Sequence, residues 1–511
     1  PRGRPRGGGG AASGEGDAGL LMLALPHHVD LWDAAGQDEE PSPAEGAAGL
    51  QLSWFTVKGA MTPVAGSRWS MRVPLQDPGW VYGDVDSLSE EHRAALEDQV
   101  TLDVQGVGVN AQDPYNLGKQ VGRVALLAAT ADALGLDEEL AELVAQLENG
   151  FLPWFDGRNQ DTMLFDSAYG GVVCKNGLQN AMSDYGSGYY NDHHFHYGYF
   201  LQAAAVLARY SPGFYADHVA AVEAIRLDIG AMPGESKSFP VARMKDFFDF
   251  HSWASGLFVQ VNGKGQESSS ESLNAYYGMV LLGQATGNAE FEQWAKLLMS
   301  MEIIGAKKYW HSTAEDSVYD SVFAANMMSG VVGALDVTAS TWFGDSFVFV
   351  HGINVMPISP ATALLLTPEY VAEEYPIVAA EVQEASGGTG EGNGKAIEPQ
   401  WKAIIAGIQA VVDPAGAWDK IHAINDFGSG NSKSNMYFWV ATRDVTNVSD
   451  VPTPAAVPDF AALIDAECEL NTGCVAMGIT SGMCCPVEEG GVSLGCCPHI
   501  DDEPLQPDPT L

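Results

Sequence analysis

From Leu20 to about Gly108 the apolar positions come in short runs broken by Pro, Gly and Asp, as in "LLMLALPHH", "GLQLSWFTVKGAM" and "SRWSMRVPL". That punctuation predicts strands. Beyond Asp113 the spacing of apolar residues changes to three and four. It does so first in "LGKQVGRVALLAATADALG" and "DEELAELVAQLENGFLPWF", then in "HYGYFLQAAAVLARY" and "FYADHVAAVEAIRLDIG", which predicts amphipathic helices. The alternation of helix and Gly-marked loop continues through "ESLNAYYGMVLLGQATG", "AEFEQWAKLLMSMEIIGAKKYW", "PISPATALLL", "PEYVAEEY" and "QWKAIIAGIQAVV" to about residue 425. Successive helix pairs on that scale predict a toroid of helical hairpins with function in the loops at one rim. An all-α solenoid is the alternative, but no fixed repeat period is visible.

Composition frames this pattern. The first 19 residues, "PRGRPRGGGGAASGEGDAG", hold almost no apolar content and are expected to be disordered. "EASGGTGEGNGK", residues 384–395, reads as a flexible loop, and "DVPTPAAVPD", residues 450–459, as a Pro-rich linker. Six of the seven cysteines fall between Cys468 and Cys497, and only Cys174 lies in the main body. They predict a small disulfide-stapled tail; a zinc knuckle is the competing reading, but no histidine stands at ligand spacing among them. The expected organisation is a disordered basic, Gly-rich segment (1–19), a β-rich remnant with a connecting region (20–110), a helical domain (111–447), a linker (448–466) and a Cys-rich tail (467–511).

Of 511 residues, 46% are hydrophobic, yet no apolar run is long enough to cross a bilayer. Twenty-five basic residues against 66 acidic ones give a net charge of −41. Such a charge repels nucleic acid and favours a neutral or cationic partner. The acidic balance, the tail cysteines and the sequon Asn447-Val448-Ser449 fit a secreted or wall-associated protein. The chain opens at Pro1 with no apolar leader, so we read it as a mature or truncated form.

The densest chemistry lies in "YYNDHHFHYGYF", residues 189–200, which holds an aspartate, three histidines and six aromatics. On a helix Asp192, His196 and Tyr199 share one face. Aromatic walls and an acidic field would raise the aspartate's proton affinity, as a proton donor needs near neutral pH; the bland alternative is a helix N-cap. His193, His194 and His196 could also share a metal, but the adjacent "DYGSGYY" suits ring stacking and hydroxyl recognition better. In "GQESSSESLNAYYG", residues 265–278, Glu267, Glu271 and Asn274 fall at helical spacing. Like charges four apart are unfavourable on a helix, which hints at function, although acids at a helix start are also favoured by its dipole. "ARMKDFFDFHSWASGLF", residues 242–258, clusters Arg243, Lys245, Asp246, His251 and Trp253, the mixture of stacking ring and hydroxyl-binding groups that sugar sites use. Trp253 as ordinary core is the plain alternative.

"YYNDHHFHYGYF", "HSWASGL" and "QESSSESLNAYYG", in that order, resemble glycoside hydrolase family 81, the endo-β-1,3-glucanases. Supporting segments include "ALPHHVD", "TVKGAMTPVAGSRW", "WFDGRNQDTMLFDSAYGGVVCKNGL", "TWFGDSFVFVHGINVMPISP" and "SNMYFWVATR". The resemblance implies a mainly α protein, with an (α/α)6-barrel catalytic domain preceded by a β-sandwich and a small connecting region. Too few residues precede "ALPHHVD" for a full sandwich, so a truncated β-rich domain is expected, with the Cys-rich tail outside the family core. The resemblance further implies an endo-acting, inverting hydrolase of internal β-1,3-glucosidic bonds that uses no cofactor or metal. Its partner would be β-1,3-glucan, neither nucleic acid nor membrane, and it would act as a monomer. By the matching motifs Asp192 is the general acid. Glu271 is expected as the base and Glu267 as the residue that positions the water or tunes its partner, the sequence leaving open which glutamate leads. Tyr189, Asn191, His194, His196, Asp246, His251, Trp253, Asn274 and Tyr277 are the expected substrate contacts. The rival reading is a catalytically silent β-glucan-binding or wall-associated protein, whose mark would be the loss of a carboxylate; all three are present.

Overall fold

A computed structural model of the chain describes residues 21–32, 54–65, 69–258, 260, 263–387 and 397–443. The predicted disordered segment, linker, Cys-rich tail and sequon lie outside these residues. The described chain divides into two units between Arg72 and Val73.

In the first unit β1 (Leu21–Ala24), β2 (Trp54–Thr56) and β3 (Gly59–Ala65) form an antiparallel sheet in the order β1-β3-β2. Leu21 pairs with Ala65 and Trp54 with Met61. The short helix Pro26–Asp30 follows β1.

The second unit is mainly helical. Its longer helices are α1 (Glu90–Gly106), α2 (Pro114–Leu134), α3 (Asp137–Phe155), α4 (His193–Tyr210), α5 (Pro212–Gly230), α6 (Ser269–Thr286) and α7 (Ala289–Tyr309). They continue as α8 (Phe347–Ile353), α9 (Pro368–Gly387), α10 (Pro399–Gln409), α11 (Pro414–Ala423) and α12 (Lys433–Ala441). Even-numbered α2, α4 and α6 are the most buried and pack against each other in succession; α8, α10 and α12 continue the series, and α12 returns onto α1 and α2. This succession of packed neighbours suits a helical barrel. The closing contact is polar: Ser434 donates from its amide and hydroxyl to Asp103 Oδ2 of α1, at 2.8 and 2.7 Å.

Two expectations need correction. The strand-like stretch does not run to Gly108, because residues 90–106 are helix α1. Ser89 caps it by accepting from the His92 amide at 3.1 Å, and Leu96, Val100 and Val104 recur every four residues on its buried side. That helical period in "EEHRAALEDQVTLDVQG" was outweighed by the Pro- and Gly-rich text before it. The loop expected at 384–395 begins late: α9 continues through Gly387, and the remainder lies outside the described residues. The barrel also carries inserted extended segments: β4 (Met163–Asp166) with β5 (Gly171–Cys174), and the sheet of β6 (Gly265–Gln266), β7 (Val331–Gly333) and β8 (Val337–Thr338).

The tightest interface among these helices joins α4 to α6. A Cβ added at Gly198 would stand 2.4 Å from Ala275 Cα, and one at Gly278 would stand 2.7 Å from the Gly198 carbonyl oxygen. Both obstacles are backbone, so no rotamer change relieves them. Gly198→Ala is therefore expected to destabilise the protein by about 1–3 kcal/mol, read as a lower urea midpoint at unchanged m-value. An unchanged midpoint would refute this account of the interface.

Candidate active site

Residue 192 sits where the chain turns into α4. Asp192 occupies the N-cap position with φ 59°, in the left-handed region, and its side chain makes no capping bond. Its amide donates to the Ala254 carbonyl at 3.0 Å, and its carbonyl accepts the His196 amide at 3.0 Å. The cap reading therefore holds for the backbone position and fails for the carboxylate. Asp184, Tyr185 and Tyr190 also have positive φ. Such backbone is costly for non-glycine residues and collects at functional sites. With the helix start fixed this way, the Asp192 carboxylate enters a cavity of about 430 Å³ shared with His196, Glu267 and Glu271.

Glu267 and Glu271 arrive from one short stretch but not, as expected, from one helix face. Ser268 caps α6, accepting from the Glu271 amide at 3.3 Å, so Glu271 lies in the first turn and Glu267 precedes the helix, just after β6. Serine competes for helix-starting amides, which is why the run "SSS" ends the helix there. Glu271 Oε1 accepts from the Tyr199 hydroxyl at 2.7 Å and the Tyr115 hydroxyl at 3.1 Å, and Lys119 Nζ donates to Tyr115 at 3.4 Å. Glu267 is 7% exposed, and its Oε1 accepts the Trp342 amide at 2.6 Å.

The electrostatics separate these acids. Asp192 Oδ1 is shut from solvent with no hydrogen-bond partner. Burial, then the charges of Glu267, Glu271 and Asp184, hold its proton affinity well above the ordinary aspartate value. Burial also pushes the Glu267 carboxyl up to about 7, against the Trp342 amide that favours its charged form and with the Glu271 charge adding to the rise. Burial lowers the Lys119 ammonium, opposed by the Glu271 charge. Lys119 is the sole cation lining the cavity among the described residues.

The expected contact residues divide. His196 lines the cavity, with Nδ1 3.2 Å from Asp184 Oδ2 and its ring 4.9 Å from Tyr115. The expected face of Asp192, His196 and Tyr199 thus converges on the site. The other two histidines diverge. His193 sends Nδ1 to Asp228 Oδ2 at 2.6 Å and Nε2 to the Ser187 carbonyl at 2.9 Å, while His194 is buried beside Gln266, its proton affinity held well below normal by burial and the neighbouring His196 and His193. The three rings thus serve three separate neighbourhoods, not one metal.

Asn191 Oδ1 accepts the Gly256 amide at 2.9 Å, and Tyr189 packs edge-on against Phe258 at 5.2 Å, so both brace the 254–258 loop. Asp246 and Trp253 line a different cavity of about 290 Å³, where Trp253 Nε1 donates to Asp246 Oδ2 at 3.0 Å. His251 is fully buried against Trp253 and Trp310. Asn274 is 2% exposed in the helix interior, and Tyr277, also buried, donates its hydroxyl to the Gly79 carbonyl at 2.9 Å. Tyr189, Asn191, His194, Asp246, His251, Trp253, Asn274 and Tyr277 thus do not line the carboxylate cavity. Helix rotation and loop packing turn them away from it, Asp246 and Trp253 toward the second cavity and the others into the surrounding frame.

What residue type alone missed is the rest of the wall. Tyr115, Lys119, Tyr185, Trp342, Phe343 and Trp401 all border the cavity. Tyr115 and Lys119 stand four apart behind the Asp113 cap in "DPYNLGKQ", a same-face signal legible in the sequence. Trp342 and Phe343 come from a loop distant in the chain, and no local pattern announces them.

Comparison with known proteins follows this geometry. The glycosyl hydrolase family 81 C-terminal domain matches residues 86–440. A glucan endo-1,3-beta-D-glucosidase of Glycine max is 28% identical over 83% of this chain and 62% of its own length. The primary septum glucan endo-1,3-beta-D-glucosidase of Schizosaccharomyces pombe is 29% identical over 78% of this chain and 38% of its own. Among solved structures, a mutant of the family 81 glycoside hydrolase from Clostridium thermocellum aligns with TM-score 0.69 at 26% identity, covering 83% of this chain and 55% of that one. The chain thus spans less than two thirds of the length of these relatives. A family domain matched over residues 86–440, together with a relative's fold matched over 83% of this chain, leads to one conclusion: the chain belongs to glycoside hydrolase family 81.

Proposed function

We propose that this protein hydrolyses internal β-1,3-glucosidic bonds of laminarin-like or cell-wall glucans, with inversion at the anomeric carbon. The observation that carries the reading is the single cavity holding Asp192, Glu267 and Glu271 under aromatic walls. Asp192, whose burial keeps its proton, donates it to the glycosidic oxygen as the bond to the anomeric carbon breaks. A water on the opposite face loses a proton to a carboxylate and attacks that carbon. Inversion needs acid and base about 6.5–9.5 Å apart, to leave room for that water.

For the base, the environment favours Glu267 over the expected Glu271. A base works best with a proton affinity near the working pH, and Glu267 stands at about 7 with one amide donor. Glu271 Oε1 is engaged by two phenols, which suits it to orient the water. Trp342, Phe343 and Trp401 offer faces on which a pyranose can stack. A neutral glucan also meets no repulsion from a chain of net charge −41. Action outside the cell, as a monomer, fits the acidic balance; among the described residues no helix is long and apolar enough to cross a membrane.

Asp192→Asn and Glu267→Gln should each cut the release of reducing ends from laminarin by about a thousandfold or more, and Glu271→Gln by about ten- to a hundredfold, with circular dichroism unchanged. Full activity in Asp192→Asn would dismiss the acid, and a larger loss in Glu271→Gln than in Glu267→Gln would restore Glu271 as base. Proton NMR of the first product should show the α-anomer; an initial β-anomer contradicts inversion.

Stability tests Glu267 without substrate. Its folded proton affinity is raised, so its contribution is present at low pH and lost as pH rises through about 7. Glu267→Gln, which keeps the acceptor for Trp342, should match the parent near pH 4. At pH 8 it should exceed the parent by up to roughly 3 kcal/mol, at about 1.4 kcal/mol per unit of raised affinity. Equal stability at both pH values would show that this carboxyl is not held near neutrality.

A further inference from the structure

We propose that the turn from Thr341 to Gly344 is a positioning element that ties stacking of a glucan ring on its exposed aromatic side chains to the placement of the Glu267 carboxylate. The inference rests on Glu267 acting as the base.

The turn does two things at once. Its peptide backbone supplies the donor to Glu267, from the Trp342 amide to Oε1 at 2.6 Å. Its side chains, Trp342 at 45% and Phe343 at 52% exposure, form a wall of the same cavity. Large aromatics exposed this far cost free energy unless a partner covers them, and a pyranose face is the partner the cavity's hydroxyl-binding rim would accept. Phe343 in turn rests on Trp401 at 5.9 Å and on Phe349 at 5.4 Å, so the wall is anchored to α10 and α8.

Thr341 sets the shape of the turn and does not itself line the cavity. Its amide donates to the Gly344 carbonyl at 2.8 Å, and its hydroxyl donates to the same oxygen at 2.7 Å. The hydroxyl also accepts the amides of Phe343 and Gly344, at 3.2 and 2.9 Å. One hydroxyl therefore holds the loop whose next peptide addresses Glu267. A ring stacked on Trp342 and Phe343 would press on that same frame, tightening the amide against the carboxylate and favouring its charged form. The other charged or titratable groups around the carboxylate are Glu271 from α6, Asp192 and His196 from α4, Lys119 and Tyr115 from α2, and Tyr185 from the preceding loop. The hydroxyl of Thr341 bonds to none of them, so changing it acts on Glu267 through the turn.

The test follows pH profiles on laminarin for the parent, Thr341→Val, Thr341→Ser and Trp342→Ala. In the parent, the acid limb of kcat, which reports the bound complex, should lie below that of kcat/KM, which reports the free enzyme. Thr341→Val should move the acid limb of kcat/KM up by about one pH unit and lower kcat about tenfold, with KM changed less than threefold. Thr341→Ser, which keeps the hydroxyl, should restore both. Trp342→Ala keeps the peptide donor; it should raise KM about tenfold and bring the two acid limbs together. An unmoved limb in a folded Thr341→Val, a Thr341→Ser that behaves like it, or limbs still separated in Trp342→Ala would overturn the proposal. Should Thr341→Val not fold, the Trp342→Ala limbs decide alone. If the parent does not hydrolyse laminarin, the functional reading fails separately. The turn is then judged by the pH at which the stability gain of Glu267→Gln over its background levels off, which Thr341→Val should shift upward by about one unit and which an uninvolved turn would leave in place.

Discussion

Helices α4 and α6 approach so closely that Gly198 and Gly278 leave no space for a methyl group between backbones. Asp192 enters from the start of one helix and the two glutamates from the start of the other, so this contact decides whether the three carboxyls share a cavity. Tyr199, one residue beyond Gly198, reaches across to Glu271 at 2.7 Å. Helix starts are good places for such groups, because their amides are otherwise unsatisfied and the dipole favours negative charge. At Glu271 this advantage is used directly. Asp192 instead holds its position through a left-handed backbone and keeps its carboxyl off the helix amides.

Three acids in one cavity would repel one another if all were charged, and the structure resolves this by giving them unlike surroundings. Burial and the charge of the neighbouring acids favour the proton on Asp192; one amide and burial set Glu267 near neutrality; two phenols address Glu271. Burial and neighbours, not residue type, thus give the carboxyls unlike surroundings, as the proposed division into acid, base and orienting group requires. Elsewhere in the same domain, buried polar pairs fix the frame. His193 with Asp228, Lys245 with Glu302 and His351 with Glu374 each sit within 2.7 Å. Each needs its partner, since a polar group left unpaired in such a place is destabilising.

Buried polar packing also explains why several expected contacts do not line the carboxylate cavity. His251, Asn274 and Tyr277 are polar residues next to catalytic motifs, and proximity in sequence marked them. In the folded chain each is buried, and Tyr277 satisfies a backbone carbonyl far along the chain. A motif around an active site must position its catalytic groups as well as supply them, and polar residues do both jobs with the same alphabet.

The sequence by itself determined the helical period from Asp113 onward, the acidic balance that suits a neutral polymer, and the three carboxylates within two long motifs. It also determined the shared face of Asp192, His196 and Tyr199, because a helix places residues at spacings of four and three together whatever lies around it. Only tertiary structure decided that Glu267 stands off the helix behind a serine cap, that α1 is helix where its neighbours read as strand, and that Trp342 arrives from a remote turn to address Glu267. It likewise decided which of the polar neighbours face the cavity. Those outcomes depend on contacts between residues distant in the chain and on how much water each group loses, and neither quantity is carried by local spacing.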